Sequence, residues 1–230
     1  MRPDDLETAR SLSLFQTMGD DTFDRMMAVS LVQAFPAGVV LLEQGQVSDF
    51  LFVLFEGSVE LSARHCNSEG AISIVQPGEP FTIAALLTDQ PTLSQARTIG
   101  MCRALMVPAA ALRDAIATDH AFCQSLLIEQ ANIVRHLVRE INNQKLRNST
   151  ERLANWVLRA RSKATEDGPI QLPFRKRTLA ALLGMTPENL SRTIASLEPH
   201  GVTFKGSSIA IADPDALRRV ARPSELIDLI

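Results

Sequence analysis

Cysteine is scarce in this chain and poorly spaced for chemistry. Cys66, Cys102 and Cys123 are an odd number, with no CxxC spacing and no paired histidine ligands. That disfavours a disulfide framework and a zinc site, and it fits a reducing compartment. Long apolar runs are missing too: none approaches the roughly 20 residues of a membrane span. The acidic N-terminus lacks the basic start of a secretory signal, so a cytoplasmic protein with no membrane partner is expected. Histidine is thinly spread. A cupin-like metal cage needs two or three histidines plus a carboxylate converging from neighbouring strands. Only His65 lies in the β-rich region. A cupin-like metalloenzyme is therefore a remote alternative, and the expectation is a protein that is not an enzyme and has no metal site.

What is present suffices for one large domain or two modest ones. Of 230 residues, 46% are hydrophobic, enough for real cores, and 21% are charged. The net charge of −3 is unevenly distributed. Residues 1–147 hold 11 Lys+Arg against 17 Asp+Glu, whereas residues 148–230 hold 12 against 9. A basic C-terminal part on an acidic body is the distribution expected when one end meets nucleic acid.

The clearest local pattern is Thr178-Leu-Ala-Ala-Leu-Leu-Gly-Met-Thr-Pro-Glu-Asn-Leu-Ser-Arg-Thr-Ile-Ala-Ser-Leu197. Leu179, Leu182 and Leu183 recur at helical spacing, and Gly184 supplies a left-handed stop. Thr186-Pro187-Glu188 starts a second helix: a hydroxyl cap, a proline at the first position, and an acid at the positive end of the dipole. Leu190, Ile194 and Leu197 form the buried face, leaving Glu188, Asn189, Ser191 and Arg192 outward. This is a helix-turn-helix pattern, whose second helix lies in a DNA major groove. Arginine pairs bidentately with guanine and glutamate accepts from the cytosine amino group. Phe174-Arg-Lys-Arg177 places positive charge upstream, where it would meet phosphates. Residues 201–211 carry two β patterns about a Lys-Gly-Ser-Ser turn, which makes the unit a winged helix.

The rest of the chain reads as a second kind of architecture. Residues 4–34 predict short helices with Leu12, Leu14, Phe15, Phe23, Met26, Met27 and Leu31 inward, ended by Phe35-Pro-Ala-Gly38. Short β runs follow at 39–42, 50–55, 58–62, 72–75, 81–83, 95–99 and 104–107, punctuated by glycine and proline. Their spacing predicts a roll of jelly-roll type, with Arg64-His-Cys-Asn-Ser-Glu-Gly70 as an exposed hairpin tip. Pro108 opens a short helix, and a long one is predicted over 119–145. Its Leu127, Ala131, Val134, Val138 and Ile141 step by four and three, the seam of a helix pairing with another helix. Leu126, Ile133 and Leu137 widen the stripe toward the helix's own β domain. Asn148-Ser-Thr-Glu151 signals a new helix, with Leu153, Trp156 and Val157 inward, and therefore a break near Arg147. Asp167-Gly-Pro reads as a loop, and Asp213-Pro-Asp starts a last short helix. Residues 222–230 carry no pattern that assigns them a role. The expected fold class is α+β, with a β-roll domain over 1–118, a dimerisation helix over 119–147 and a winged helix-turn-helix domain over 148–230.

In this order of parts the chain resembles the Crp–Fnr family of bacterial transcription regulators. The likeness spans roughly residues 10–212 and includes the roll signatures Gly38…Glu43-Gln-Gly45, Phe55-Glu-Gly-Ser-Val-Glu60 and Pro77-Gly-Glu-Pro-Phe81. The resemblance implies a cyclic-nucleotide-binding-like sensor domain, a homodimer through the long helix, duplex DNA and RNA polymerase as partners, and two recognition helices in successive major grooves. Glu188, Ser191 and Arg192 resemble the Glu-x-x-Ser-Arg signature of the Fnr-like branch, which implies a two-fold TTGA…TCAA-like operator. By that likeness Arg192 meets guanine, Glu188 cytosine and Ser191 a thymine, while Arg177 and Thr186 sit where the family touches phosphate.

The sensor end departs from the family pattern. Ala84 stands where the cyclic-AMP-binding branch has its ribose-binding glutamate. Leu93, beside Ser94, stands where that branch has its phosphate-binding arginine, and Leu137 and Val138 stand where it presents hydroxyls to adenine. A buried phosphate without its cation is costly, so cyclic AMP is not the expected effector. With no N-terminal cysteine set, an iron–sulfur cluster is not expected either. The positions of Phe81, Ala84, Leu93, Ser94, Leu137 and Val138 suggest an apolar effector pocket. Haem would need an axial ligand, for which His65, His120, His136, Met101, Met106 and the cysteines are candidates, His136 foremost. Cys66 on the hairpin is the candidate redox switch. A cyclic-nucleotide-binding module whose helix-turn-helix contacts protein is the alternative reading.

Overall fold

The structure is a computed structural model that describes residues 1–66, 68–164 and 168–228. It forms two compact units, Met1–Ile133 and Val134–Ile230. Among the described residues no helix is long and apolar enough to cross a membrane.

The first unit begins with α1 (Pro3–Ser11) and α2 (Asp20–Ala28), followed by β1 (Leu31–Phe35), β2 (Val40–Leu42), β3 (Phe50–Glu56), β4 (Val59–His65), β5 (Ser68–Val75) and β6 (Pro80–Phe81). Next come α3 (Ile83–Thr88), β7 (Gln95–Thr98), β8 (Cys102–Pro108) and α4 (Ala109–Thr118). The strands make two four-stranded sheets, β1-β8-β3-β6 and β2-β7-β4-β5, with antiparallel pairing. Strand β3 is apolar along almost its whole length because it is buried on both faces. Phe52 and Leu54 join Leu42, Val59, Val75 and Phe81 in one core cluster. Leu51, Val53 and Phe55 alternate to the other side, where they pack with Phe15, Met26, Leu112 and Phe122.

The N-terminal stretch departs from its predicted helices at residues 31–34. Leu31 to Phe35 pair with Met106 to Cys102 as strand β1, and Leu31 is 42% exposed rather than part of the core. Pairing with a strand some 70 positions away overrides the local pattern. The predicted run 81–83 is also shorter than expected. Thr82 takes a left-handed φ of +77°, its hydroxyl donates to Phe50 O, and Ile83 starts α3. The β4–β5 hairpin closes at His65↔Ser68, leaving Cys66 exposed at its tip with Asn67 outside the described residues.

Helix α5 (His120–Leu146) is within a residue of its predicted span. Asp119 caps it, one carboxylate oxygen accepting the Phe122 N–H at 2.9 Å and the other the Gly19 N–H at 2.8 Å. Those backbone hydrogen bonds hold its carboxyl below the usual range. Leu126 is buried against the roll, whereas Leu127, Val134, Val138 and Ile141 are 50–64% exposed and Leu137 is 44% exposed. Glu129, on the same helix, is partly buried. Burial pushes its carboxyl above the ordinary range, and the Glu79 carboxylate adds to the shift. A raised acid favours the folded state only while protonated, so its contribution fades as pH rises through the folded-state value. Glu129→Gln is therefore expected to raise Tm at neutral pH, with the gain vanishing below about pH 4. Thermal melts of both proteins across that range check it.

The second unit contains the rest of α5, then α6 (Ser149–Ser162), β9 (Ile170–Gln171), α7 (Lys176–Leu182), α8 (Pro187–Leu197), a 3-10 turn, β10 (Val202–Lys205), β11 (Ser208–Ile211) and α9 (Pro214–Ala221). Helix α6 starts in a capping box: Asn148 accepts the Glu151 N–H and Glu151 accepts the Asn148 N–H. The wing hairpin turns at Gly206-Ser207, and β9 adds a third strand against β11 that periodicity did not predict. The predicted Asp167-Gly-Pro loop begins outside the described residues, as do Leu229 and Ile230 of the C-terminal segment. Leu153, Val157, Leu179, Leu183, Leu190 and Leu197 fill the core, with Trp156 at its edge on Phe174.

Candidate nucleic-acid interface

Helix α7 stops as its sequence dictates. Gly184 has φ +62°, the Met185 N–H donates to Ala180 O and the Gly184 N–H to Ala181 O. These paired bonds form a Schellman end, which only a residue tolerant of positive φ closes cheaply. Thr186 then caps α8 by accepting the Asn189 N–H at 3.2 Å. With Leu190 and Leu197 fixed in the core, the helix has one rotation available, and Glu188, Ser191 and Arg192 are exposed.

These exposed groups are organised before any partner arrives. The Glu188 carboxyl lies below its usual range, first because it accepts its own backbone N–H, then because the Thr186 hydroxyl donates to it and Arg192 lies nearby. The Ser191 hydroxyl rests on Pro187 O at 3.0 Å. Asn189 is less outward than its position suggests. It is half-buried, and its Nδ2 donates to Ser149 Oγ at 3.2 Å. In the basic run upstream, Arg175 occupies the position before α7 without a side-chain cap, Lys176 lies 5.8 Å from the Phe204 ring centroid, and Arg177 is exposed.

Three features of this unit had no sequence signal. Arg152, 9% exposed, donates through Nε to Leu183 O and through Nη1 to Arg147 O, tying the ends of α5 and α7 to α6. Burial pulls its pKa down. A second network runs through the C-terminal segment: Asp228 pairs bidentately with Arg147, whose Nη1 also reaches Asn143 Oδ1 at 3.2 Å. Third, Arg192 shares an open groove of about 640 Å³ with Ser149, Thr150, Ser196, Arg219 and Arg222. Basic residues in the last turn of α9 are what its own dipole favours, so nothing in the sequence singled them out.

The residues considered for an effector differ in exposure, Phe81, Ala84, Leu93 and Ser94 lying in the first unit and Leu137 and Val138 in the second. Phe81 is buried in the roll, its ring stacked on Phe52 at 5.1 Å, whereas Leu93 is 86% exposed and Ala84 is exposed on α3. Ser94 is half-buried, and Leu137 and Val138 are exposed on α5. The haem candidates fall in both units, His136 in the second and the others in the first. His65, Cys66, His120, His136 and Met101 are exposed, Cys102 is fully buried and Cys123 partly so. Met106, half-buried, packs against the aromatic interior of the roll. Among the described residues no three His, Cys, Asp or Glu side chains converge to hold a metal ion.

A winged helix carrying an exposed Glu-x-x-Ser-Arg face, in one chain with a two-sheet β-roll, defines a DNA-binding regulator with a sensory domain. Comparison with known proteins agrees. Residues 151–220 match the Crp-like helix-turn-helix domain and residues 32–119 the cyclic nucleotide-binding domain. A proposed cAMP-binding regulatory protein from Silicibacter pomeroyi DSS-3 is 26% identical over 95% of this chain and 98% of its own, with a TM-score of 0.63. FixK2 from Bradyrhizobium japonicum is 18% identical over 85% of this chain and 99% of its own, with a TM-score of 0.75. The c-di-GMP-responsive global regulator CLP of Xanthomonas campestris is 18% identical over 84% and 99%, with a TM-score of 0.71. No curated protein shows significant similarity. The chain belongs to the Crp–Fnr family and is a DNA-binding transcription regulator with a nucleotide-binding-like sensory domain.

Proposed function

We propose that this regulator acts in the cytoplasm as a homodimer reading a two-fold TTGA…TCAA-like operator. Residues 119–147 would serve as the dimerisation helix between a sensor domain (1–118) and a DNA-binding domain (148–230). The observation that carries the reading is the display on α8 of Glu188, Ser191 and Arg192, beside a capping Thr186 and an exposed Arg177. Arg192 addresses guanine, Glu188 cytosine and Ser191 a thymine, and Arg177 and Thr186 meet phosphates. The exposed seam of Leu127, Ala131, Val134, Val138 and Ile141 supports pairing with a second copy. RNA polymerase is the further partner that family likeness supports. A signal other than cyclic AMP in the roll would bias the pose of the paired helices and with it the spacing of the recognition helices.

Fluorescence anisotropy on an inverted TTGA…TCAA duplex tests the DNA reading. Arg192→Ala is expected to weaken binding by about 1–3 kcal/mol and relax specificity at one base pair in each half-site. An equal loss on every sequence would make Arg192 a phosphate contact. Wild-type protein with no preference for the repeat would end the operator assignment. Calorimetric titration with cyclic AMP and cyclic GMP is expected to show no binding.

A further inference from the structure

The groove beside α8 has a composition that base reading leaves unused. Its walls carry three guanidinium groups, Arg192, Arg219 and Arg222, against the single carboxylate of Glu151. Glu151 is committed to its capping box, where it accepts the Asn148 N–H. Arg222 approaches it at 3.6 Å, yet its side chain remains 80% exposed. Arg219 is exposed and has no ion pair among the described residues. The end of α9 is fixed where these arginines flank α8. Asn155 Nδ2 donates to Ala221 O, Leu217 and Ala221 are fully buried, and Arg222 closes the helix in a left-handed conformation. The Thr150 and Ser196 hydroxyls lie 3.4 Å apart in the same groove.

We propose that Arg219 and Arg222 grip the sugar–phosphate backbone flanking the base pairs that α8 addresses, extending the DNA contact onto the helix after the wing. This rests on the DNA-reading role proposed for α8. The groove is open and its polar groups lie along a wall shared with Arg192, which suits an extended polyanion. Guanidinium forks match phosphate oxygens in bidentate fashion, and contacts of this kind fix register without reading sequence.

Each phosphate contact releases condensed counterions, so the slope of log affinity against log salt counts them at about 0.9 per contact. The full-length double variant R219Q/R222Q is expected to bind with a slope shallower by about 1.8 per protomer. The change should be equal on the TTGA…TCAA duplex and on a scrambled one, with their affinity ratio unchanged. R219K/R222K, which retains the charges, should keep the wild-type slope. Arg218→Gln, whose side chain lines a different groove with Arg161, should also leave it unchanged. Trp156 fluorescence on urea unfolding checks that the variants fold like wild type. A wild-type slope in R219Q/R222Q, or a loss confined to the repeat duplex, would overturn the proposal. Wild-type protein that binds both duplexes equally would instead count against the operator reading while leaving the slope comparison intact.

Discussion

Asp228→Ala is expected to lower the unfolding free energy of the C-terminal unit by about 3–5 kcal/mol, the usual cost of stripping one partner from a buried ion pair. The chain's single tryptophan, Trp156, lies in that unit and reports its urea transition. The side chains of Asp228 and Arg147 are 1% and 6% exposed. The guanidinium left behind would be a buried cation whose remaining acceptor among the described residues is Asn143 Oδ1 at 3.2 Å. Beyond that lies a chain of partners: fully buried Asn143 donates to Glu140, and Glu140 accepts from Arg159 of α6. The Ser224 N–H also donates to Asp228 Oδ2 at 2.9 Å, so the loss frees the terminal turn as well. The double variant R147M/D228L removes both charges and should recover part of the loss, because two apolar groups leave no uncompensated ion. Recovery cannot be complete while Asn143 loses a donor. A single-variant loss below about 1 kcal/mol would place the pair in effectively solvated surroundings.

The same pair sets an acid dependence. Burial alone would raise the Asp228 carboxyl, but the Arg147 hydrogen bonds, the Ser224 N–H and the charges of Arg147 and Arg159 outweigh it and hold the value below the usual range. A depressed acid contributes stability above its unfolded value, near 3.9, and loses it as pH falls through the lower folded-state value. The wild-type Trp156 transition should therefore weaken below about pH 4 more steeply than that of R147M/D228L.

How much of this was legible depended on how far apart the cooperating residues lie. Gly184, Thr186, Pro187 and Asn148 act on backbone groups within four positions, so local rules sufficed to place the ends of α6, α7 and α8. The apolar seam of α5 was legible because a helix keeps its own register from one turn to the next. Strand β1 was not, since Leu31–Phe35 becomes a strand only by pairing with β8, and two-residue β9 exists only against β11. Arg152 escaped notice because a buried arginine that serves carbonyl oxygens looks, in sequence, like one on a solvated helix face. Residues 222–228 were unreadable for the same reason: Asp228 gains meaning only from Arg147, 81 positions earlier. The effector end was read through what it lacks, and placing Leu93 in the open while closing Phe81 onto Phe52 leaves that side of the molecule defined mainly by its departures from the cyclic-AMP pattern.

In the roll the largest single effect should come from Gly57→Ala, within the Phe55-Glu-Gly-Ser-Val-Glu60 signature. Gly57 joins β3 to β4 with φ +90°, a conformation that costs an L-residue about 1–2 kcal/mol. A Cβ there would stand 2.5 Å from Met101 O and 2.6 Å from Cys102 Sγ. The first contact is backbone and cannot swing away. The second is a fully buried thiol that donates to Ser58 O at 3.2 Å. Relieving the clash means moving β8 away from the β3–β4 turn, an overpacking strain of about 1–3 kcal/mol. The two terms together predict a loss of about 2–5 kcal/mol. Gly38 and Gly45 also have positive φ, but a Cβ at either would meet no atom within 4 Å, so Gly38→Ala should cost only the backbone share. Hydrogen exchange separates the two effects. Gly57→Ala should strip protection from the β3, β4 and β8 amides together, because Gly57 and Cys102 lie where those strands meet, whereas Gly38→Ala should not. Equal protection in both variants would mean that the Met101–Cys102 segment yields freely and that the close approach at Gly57 is not what holds the two sheets together.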